Sequence, residues 1–236
     1  MSVAGTKSIE TEAPQASPGA LLAFWNNPIG KKALMSLTGI ILSLYVFAHL
    51  LGNMQIYVGA EAINGYAHLL HKNLALLWTA RVVLLAAVLV HALAGVQLYL
   101  NKANTRPVQY AERVNIISTT ASRTMIWSGV LIFAFVIYHV LDLTVGVAHA
   151  GPYEDVMPYQ NVLSGFRFLP AAIAYVVAMV GVGFHLWHGL YSLFQSLGMS
   201  HPRYTPMVQK GAAIVGTLVA LANISVPIAV LTGLLR

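Results

Sequence analysis

Cysteine is absent from this 236-residue chain, and charged side chains are few. Without thiols the chain can form no disulfide, hold no cysteine-ligated iron–sulfur cluster and use no thiolate in catalysis. Charged residues make up 8% of the chain, against about 25% in a typical soluble domain, whereas 58% of the residues are hydrophobic. So apolar a chain lacks the polar surface of a soluble protein, which predicts a helical membrane protein.

Five long apolar runs follow a polar N-terminal stretch. A transmembrane helix needs about 20 apolar residues, and each run is long enough to cross the bilayer. The predicted spans are 33–57, 74–100, 124–147, 168–197 and 212–235. Short connections between them predict an all-α, up-and-down bundle of five transmembrane helices within one domain, residues 31–236, with no room for a soluble catalytic domain.

Residues 1–30 are predicted to form a flexible cytoplasmic segment, because the stretch begins with polar residues, proline and serine. Lysine and arginine also predict an orientation. Nine of the thirteen lie in this segment, just before the first span, or in and beside the loops after the second and fourth spans: Lys7, Lys31, Lys32, Lys102, Arg106, Arg113, Arg123, Arg203 and Lys210. Since positive charge favours the cytoplasmic side, the N-terminus is predicted to lie in the cytoplasm.

Five of the nine histidines lie inside predicted spans: His49, His91, His139, His185 and His188. A single histidine in a span commonly makes a helix–helix hydrogen bond. Intramembrane ionisable residues are nevertheless rare and mark functional sites. Here the first four spans each carry at least one histidine and the fifth carries none, a distribution that favours a functional role.

The depths of these histidines predict two levels. His49 and His139 lie 16 and 15 residues after the starts of the first and third spans, which run in the same direction. At about 1.5 Å per residue, both are roughly 23 Å from the inner end. His91 and His185 each lie 17 residues into the oppositely directed second and fourth spans. Imidazole is an axial haem ligand and bundles build such sites from facing helices, so the pattern is typical of two bis-histidine b haems.

His185 and His188 compete for the fourth ligand position, because residues three apart lie on similar faces of a helix. His185 is flanked by Gly181 and Gly189 at four residues on either side, which would leave room for a flat macrocycle. Gly95 stands at the same offset after the histidine of the second span. These observations favour His185, and His188 stays open as the alternative.

The residues around these histidines resemble a known family. The stretches are FAHLLGNMQIYVGAEAINGYAHLLH, LVHALAGVQLYL, ASRTMIWSGVLIFAFVIYHVLDLTVG and FHLWHGLYSLFQSLG. In this order they resemble the cytochrome b subunit of succinate dehydrogenase/fumarate reductase, in its single-chain, five-helix, dihaem form. The resemblance implies His49 with His139 as ligands of an outer haem, and His91 with His185 as ligands of an inner haem.

The resemblance also implies partners and a location. A flavoprotein with FAD and an iron–sulfur protein would bind on the cytoplasmic side of a bacterial inner membrane. Electrons would pass from the iron–sulfur clusters through the anchor to a quinone, usually menaquinone in dihaem members. The absence of cysteine is consistent with clusters held by another chain.

Several polar residues are secondary candidates. Asp142 follows His139 by three residues and could carry protons near the outer haem or a quinone, or lie at the headgroup boundary. Glu61 and His71, with His68, fall in the outer loop, where a solvated role competes with a quinone or proton role.

Two arginines could contact haem propionates. Arg81 lies near the outer end of the second span and could instead extend to lipid headgroups. Arg123 begins the third span on the inner side, where positive-inside anchoring explains it as simply.

Three other functions stay open from the residues. The chain could be a dihaem cytochrome b anchor of another quinone-linked dehydrogenase, such as a hydrogenase or formate dehydrogenase. It could be a metal-transporting membrane protein, which predicts histidine and carboxylate ligands clustered at one midplane site. It could also be a structural anchor whose histidines are only packed.

Overall fold

The computed structural model describes residues 19–104 and 120–236, and within these ranges the chain is helical with no strand. The helices are α1 (Ala20–Asn26), α2 (Pro28–Asn53), α3 (Ala60–His71), α4 (Leu74–Asn104), α5 (Thr120–Arg123), α6 (Met125–Leu143), α7 (Pro158–Arg167), α8 (Leu169–Ser196) and α9 (Thr205–Leu231). A 3₁₀ turn, Met54–Tyr57, extends α2.

Five of the described helices are long and apolar enough to cross a membrane: α2 with its 3₁₀ extension, α4, α6, α8 and α9. The predicted all-α bundle with five spans is therefore confirmed. Lys7, Arg106 and Arg113, which contributed to the predicted orientation, lie outside the described residues, as do residues 1–18 of the predicted N-terminal segment.

The spanning helices begin at other residues than the predicted apolar runs, because local capping determines where a helix begins. The first spanning helix begins at Pro28, where the Asn27 side chain accepts a hydrogen bond from the Ile29 amide at 2.9 Å. Together with α1, this makes the described part of residues 1–30 largely helical. The fifth span begins at Thr205 rather than residue 212, again with proline in its first turn.

The connections after the first and third spans contain two further helices, α3 and α7, which pack against each other. The Asn64 amide donates to Gln160 Oε1 at 2.9 Å and accepts from the Tyr159 backbone N–H at 3.0 Å. These bonds hold the two connections at one end of the bundle, called here the α3–α7 end. The main buried apolar cluster, with Ile56 and Phe166 among its members, lies at the same end.

Small residues allow α8 and α9 to pack closely. A Cβ on Gly216 would lie 2.5 Å from the Gly183 carbonyl oxygen, and a Cβ on Gly183 would lie 3.0 Å from Ala220 Cβ. In the most apolar stretch of these two helices 39% of the residues are buried, against 6% in α2 and 11% in α4 and α6. Neighbouring helices therefore cover α8 and α9 more completely than they cover α2, α4 and α6.

Candidate functional site

The rings of His49 on α2 and His139 on α6 face each other near the α3–α7 end. Their centroids are 5.8 Å apart and the ring planes are at 86°. Tyr45 stacks on His49 at 5.4 Å, and Phe135 contacts His139 at 5.6 Å. His49 and His139 are called here the outer pair, and Tyr45 and Phe135 are its aromatic neighbours.

A second pair lies farther from that end of the bundle. The rings of His91 on α4 and His185 on α8 are 6.1 Å apart, with their planes at 61°. This is called here the inner pair. Both combinations that the depth argument predicted are thus brought together, one from α2 and α6 and one from α4 and α8, while α9 packs outside against α8.

The spacing within each pair is suited to an iron between two imidazoles. A metal bonds an imidazole nitrogen at roughly 2 Å, so two axial rings on one iron have centroids about 6 Å apart. The observed separations, 5.8 and 6.1 Å, match this requirement. Bis-histidine ligation also needs one unprotonated nitrogen on each ring.

In the inner pair, hydrogen bonds at Nδ1 leave Nε2 as the unprotonated nitrogen. His91 Nδ1 lies 3.1 Å from the Met35 carbonyl oxygen and 3.2 Å from Thr38 Oγ1. A carbonyl only accepts, so Nδ1 donates and the Nε2 of His91 keeps its lone pair. His185 Nδ1 lies 3.2 Å from the hydroxyl of Ser128, which itself donates to a backbone carbonyl of its own helix. Such outer hydrogen bonds fix the tautomer and orientation of metal-binding histidines.

Glycines let neighbouring helices approach the inner pair. A Cβ on Gly39 would lie 3.3 Å from His91 Cε1, and one on Gly129 would lie 3.7 Å from His185 Cε1. Of the glycines that suggested room for a macrocycle, Gly95 and Gly189 face open space. At Gly181 a Cβ would lie 2.8 Å from Leu131 Cδ2, so this glycine lets the Leu131 side chain of α6 approach α8, and its role beside a macrocycle stays a prediction.

Asp142 is buried although it lies close to the end of α6. The residue is 1% exposed. Its carboxylate accepts a hydrogen bond from the Tyr175 hydroxyl at 2.7 Å, and its other oxygen lies 2.7 Å from His149 Nδ1. The carboxylate is thus enclosed by protein side chains near the end of α6, and its role as a proton carrier or as a residue of the headgroup boundary stays a prediction.

The secondary candidates on α3 lie apart from the histidine pairs. Glu61 and His68 are exposed, and His71 Nδ1 is bonded to the Ala67 carbonyl of its own helix at 2.8 Å. Among the described residues, neither Glu61 nor His71 hydrogen-bonds to either pair.

The two candidate arginines lie in different settings. The Arg81 guanidinium lies over the Trp78 ring, 5.0 Å from its centroid. This is a cation–π contact between neighbours on α4. Arg123 is exposed at the end of α5. As propionate contacts, both stay predictions.

Sequence reasoning missed the hydrogen-bond partners of the histidines and of Asp142. Thr38, Ser128, Tyr175 and His149 were not singled out, because a polar residue in a span or a short loop has no recognisable spacing to its partner. His149 offered one signal, since it follows a span that contains Asp142 and the connection is short. Over residues 19–104 and 120–236, no three histidine or carboxylate side chains converge on a metal-sized site.

Comparisons with known proteins give the family. No curated protein and no solved structure matched the chain. A family model, the succinate dehydrogenase/fumarate reductase transmembrane subunit, matches residues 102–223. This match includes α6, α8, Asp142 and two of the four paired histidines. Since it covers half of the sequence, the chain belongs to the family of transmembrane subunits of succinate dehydrogenase and fumarate reductase.

Proposed function

We propose that the chain is the dihaem cytochrome b subunit that anchors a succinate:quinone oxidoreductase in the membrane. His49 and His139 would hold the outer haem, and His91 and His185 the inner haem. The observation that carries the proposal is the pair of facing imidazole rings at each of two levels, with centroids 5.8 and 6.1 Å apart. Family membership supports the complex, and the ring pairs support the cofactors.

The chain's own contribution is ligation, orientation and burial. When bound, the two haems would supply one-electron transfer between iron–sulfur clusters of a partner and a membrane quinone, menaquinone by the resemblance. The helices hold the imidazoles at two depths, and Met35, Thr38 and Ser128 orient the inner rings through Nδ1. Because two histidines would hold each haem, the chain would supply sites for electron transfer rather than for oxygen binding.

The partners follow from the family and from the resemblance of the sequence. The chain belongs to a family of membrane subunits of larger complexes, and its lack of cysteine is consistent with iron–sulfur clusters held by another subunit. The proposed complex contains a flavoprotein subunit with FAD and an iron–sulfur subunit, both on the cytoplasmic side of a bacterial inner membrane. The described chain would react with quinone and leave succinate oxidation to the flavoprotein.

Haem content tests the proposal. The complex purified through this chain should contain two b haems per chain by the pyridine haemochrome assay, together with a flavoprotein and an iron–sulfur protein. His91→Ala should lower the content to one haem, because it removes one axial ligand of the inner pair. His68→Ala, an exposed histidine on α3, is the control and should keep two. A wild-type complex without haem would refute the dihaem assignment.

A further inference from the structure

A continuous chain of hydrogen bonds leads from the outer pair to the connection after α6. His139 Nδ1 lies 3.2 Å from the Tyr175 hydroxyl, which donates to Asp142 Oδ2 at 2.7 Å. Asp142 Oδ1 lies 2.7 Å from His149 Nδ1, and His149 Nε2 lies 2.9 Å from Ser164 Oγ. The network therefore joins α6, α7, α8 and the α6–α7 connection.

Burial makes this network costly unless every member has a partner. Asp142 is 1% exposed and Tyr175 is 7% exposed, and the side chain of His149 is 1% exposed. A buried carboxylate is tolerated only when it is paired and hydrogen-bonded. Each member has such a partner here, so the network holds Asp142 in one defined orientation.

The direction of these hydrogen bonds determines which nitrogen of the His139 imidazole carries the hydrogen. Tyr175 has a single hydroxyl hydrogen, and this is donated to the carboxylate of Asp142. Its oxygen is then left to accept from His139 Nδ1–H. The Nε2 of His139 is consequently the unprotonated nitrogen, on the ring that faces His49.

Among residues 19–104 and 120–236, no carboxylate is hydrogen-bonded behind the inner pair. The Nδ1 partners of His91 are a backbone carbonyl and the Thr38 hydroxyl, and that of His185 is the Ser128 hydroxyl. Within the described residues, the outer pair alone is connected to a carboxylate through a hydrogen bond on Nδ1. The two levels therefore differ in the electrostatics behind their ligands.

We infer that Asp142 is a positioning residue that acts on His139 through Tyr175. It holds His139 in the Nδ1–H tautomer, and its carboxylate, which is paired with His149 and accepts from Tyr175, lowers the reduction potential of the haem that the outer pair would hold. A hydroxyl oxygen accepts more strongly from Nδ1–H when its own hydrogen is donated to a carboxylate, and this makes the imidazole a stronger donor to a metal, which favours the oxidised iron. This inference rests on the proposed function, because it requires haem at the outer pair.

Redox titration of the two haems in the purified complex, followed by optical absorbance, tests the inference. Asp142→Asn removes the charge, and Tyr175→Phe removes the link. Each should raise the midpoint potential of the outer haem and leave that of the inner haem unchanged. In the double variant the midpoint potential of the outer haem should shift no further than in the single variant with the larger shift, because both changes interrupt one pathway. Asp142→Glu should return the potential toward the wild-type value.

Tyr138→Phe is the matched control. Tyr138 contacts Tyr175 edge to face at 5.8 Å but lies outside the hydrogen-bonded chain, so its loss should move neither potential. Unchanged outer potentials in Asp142→Asn and Tyr175→Phe, with two haems retained, would overturn the inference while leaving the dihaem proposal intact. Loss of the outer haem from both variants would show that the network serves assembly alone, which also contradicts it. Absence of haem from the wild-type complex would instead reject the proposed function.

Discussion

At the scale of single residues, a hydrogen bond at Nδ1 and a facing imidazole distinguish His185 from its neighbour His188. His185 and His188 are three residues apart on α8. The ring of His185 contacts that of His91 at 6.1 Å, and its Nδ1 is bonded to Ser128 on α6. Helical spacing leaves the two histidines nearly equivalent, whereas the facing helices select His185.

Replacement of each histidine tests this selection. His185→Ala should lower the haem content of the complex by one haem per chain, because it removes an axial ligand. His188→Ala should retain both haems with unchanged low-spin spectra. Visible absorbance and electron paramagnetic resonance of the purified complexes provide the measurement. Loss of a haem from the His188 variant, with the His185 variant intact, would exchange the two assignments.

At the scale of helices, small residues at the α8–α9 interface explain why α9, the span without a histidine, packs tightly against α8. Gly216 lies against the backbone of α8, where a Cβ would come within 2.5 Å of the Gly183 carbonyl oxygen. Without a hydrophobic driving force in lipid, close packing of small residues stabilises helix pairs. By fixing one side of α8, α9 helps to hold His185 toward the opposite helices.

Gly216→Val should therefore destabilise the bundle. The added side chain would meet backbone atoms, which cannot rotate away, so α8 and α9 must separate at a cost of about 1–3 kcal/mol. Thermal unfolding of the complex in detergent should show a lower melting temperature. Gly211→Val lies one turn earlier on α9 in open space and controls for the loss of glycine. Equal melting temperatures for the two variants would contradict the packing argument.

At the scale of the whole molecule, the two ends of the bundle differ in charge and in structure. The α3–α7 end carries two packed helices and the main apolar cluster. Most lysines and arginines of the sequence lie on the other side of the predicted spans. The positive-inside tendency therefore predicts that the α3–α7 end faces away from the cytoplasm.

Single cysteines can test this orientation, because the natural sequence has none. Lys72→Cys and Ser200→Cys place exposed thiols at opposite ends of the bundle. In spheroplasts with an intact inner membrane, a membrane-impermeant maleimide should label the Lys72 variant and should label the Ser200 variant only after permeabilisation. Mass shift of the purified chain is the readout. The reverse pattern would invert the predicted topology.

The sequence by itself determined the class of protein, the number of spans and the two levels at which histidines come together, while the choice between His185 and His188 stayed open. Apolar length is a one-dimensional property, so five spans can be counted directly. The constant rise of a helix converts residue number into depth, and alternating direction then places His49 near His139 and His91 near His185. Their role as haem ligands stays a prediction from chemistry and resemblance.

Only the tertiary structure decided which polar groups stand behind those histidines. Tyr175 is 33 residues from Asp142 along the chain, and Ser128 is 57 residues from His185. Such contacts depend on the rotation of each helix about its axis and on close approach at small residues, which apolar periodicity specifies only coarsely. For the same reason the contact between Gly181 and the Leu131 side chain could not be read from the spacing of the glycines.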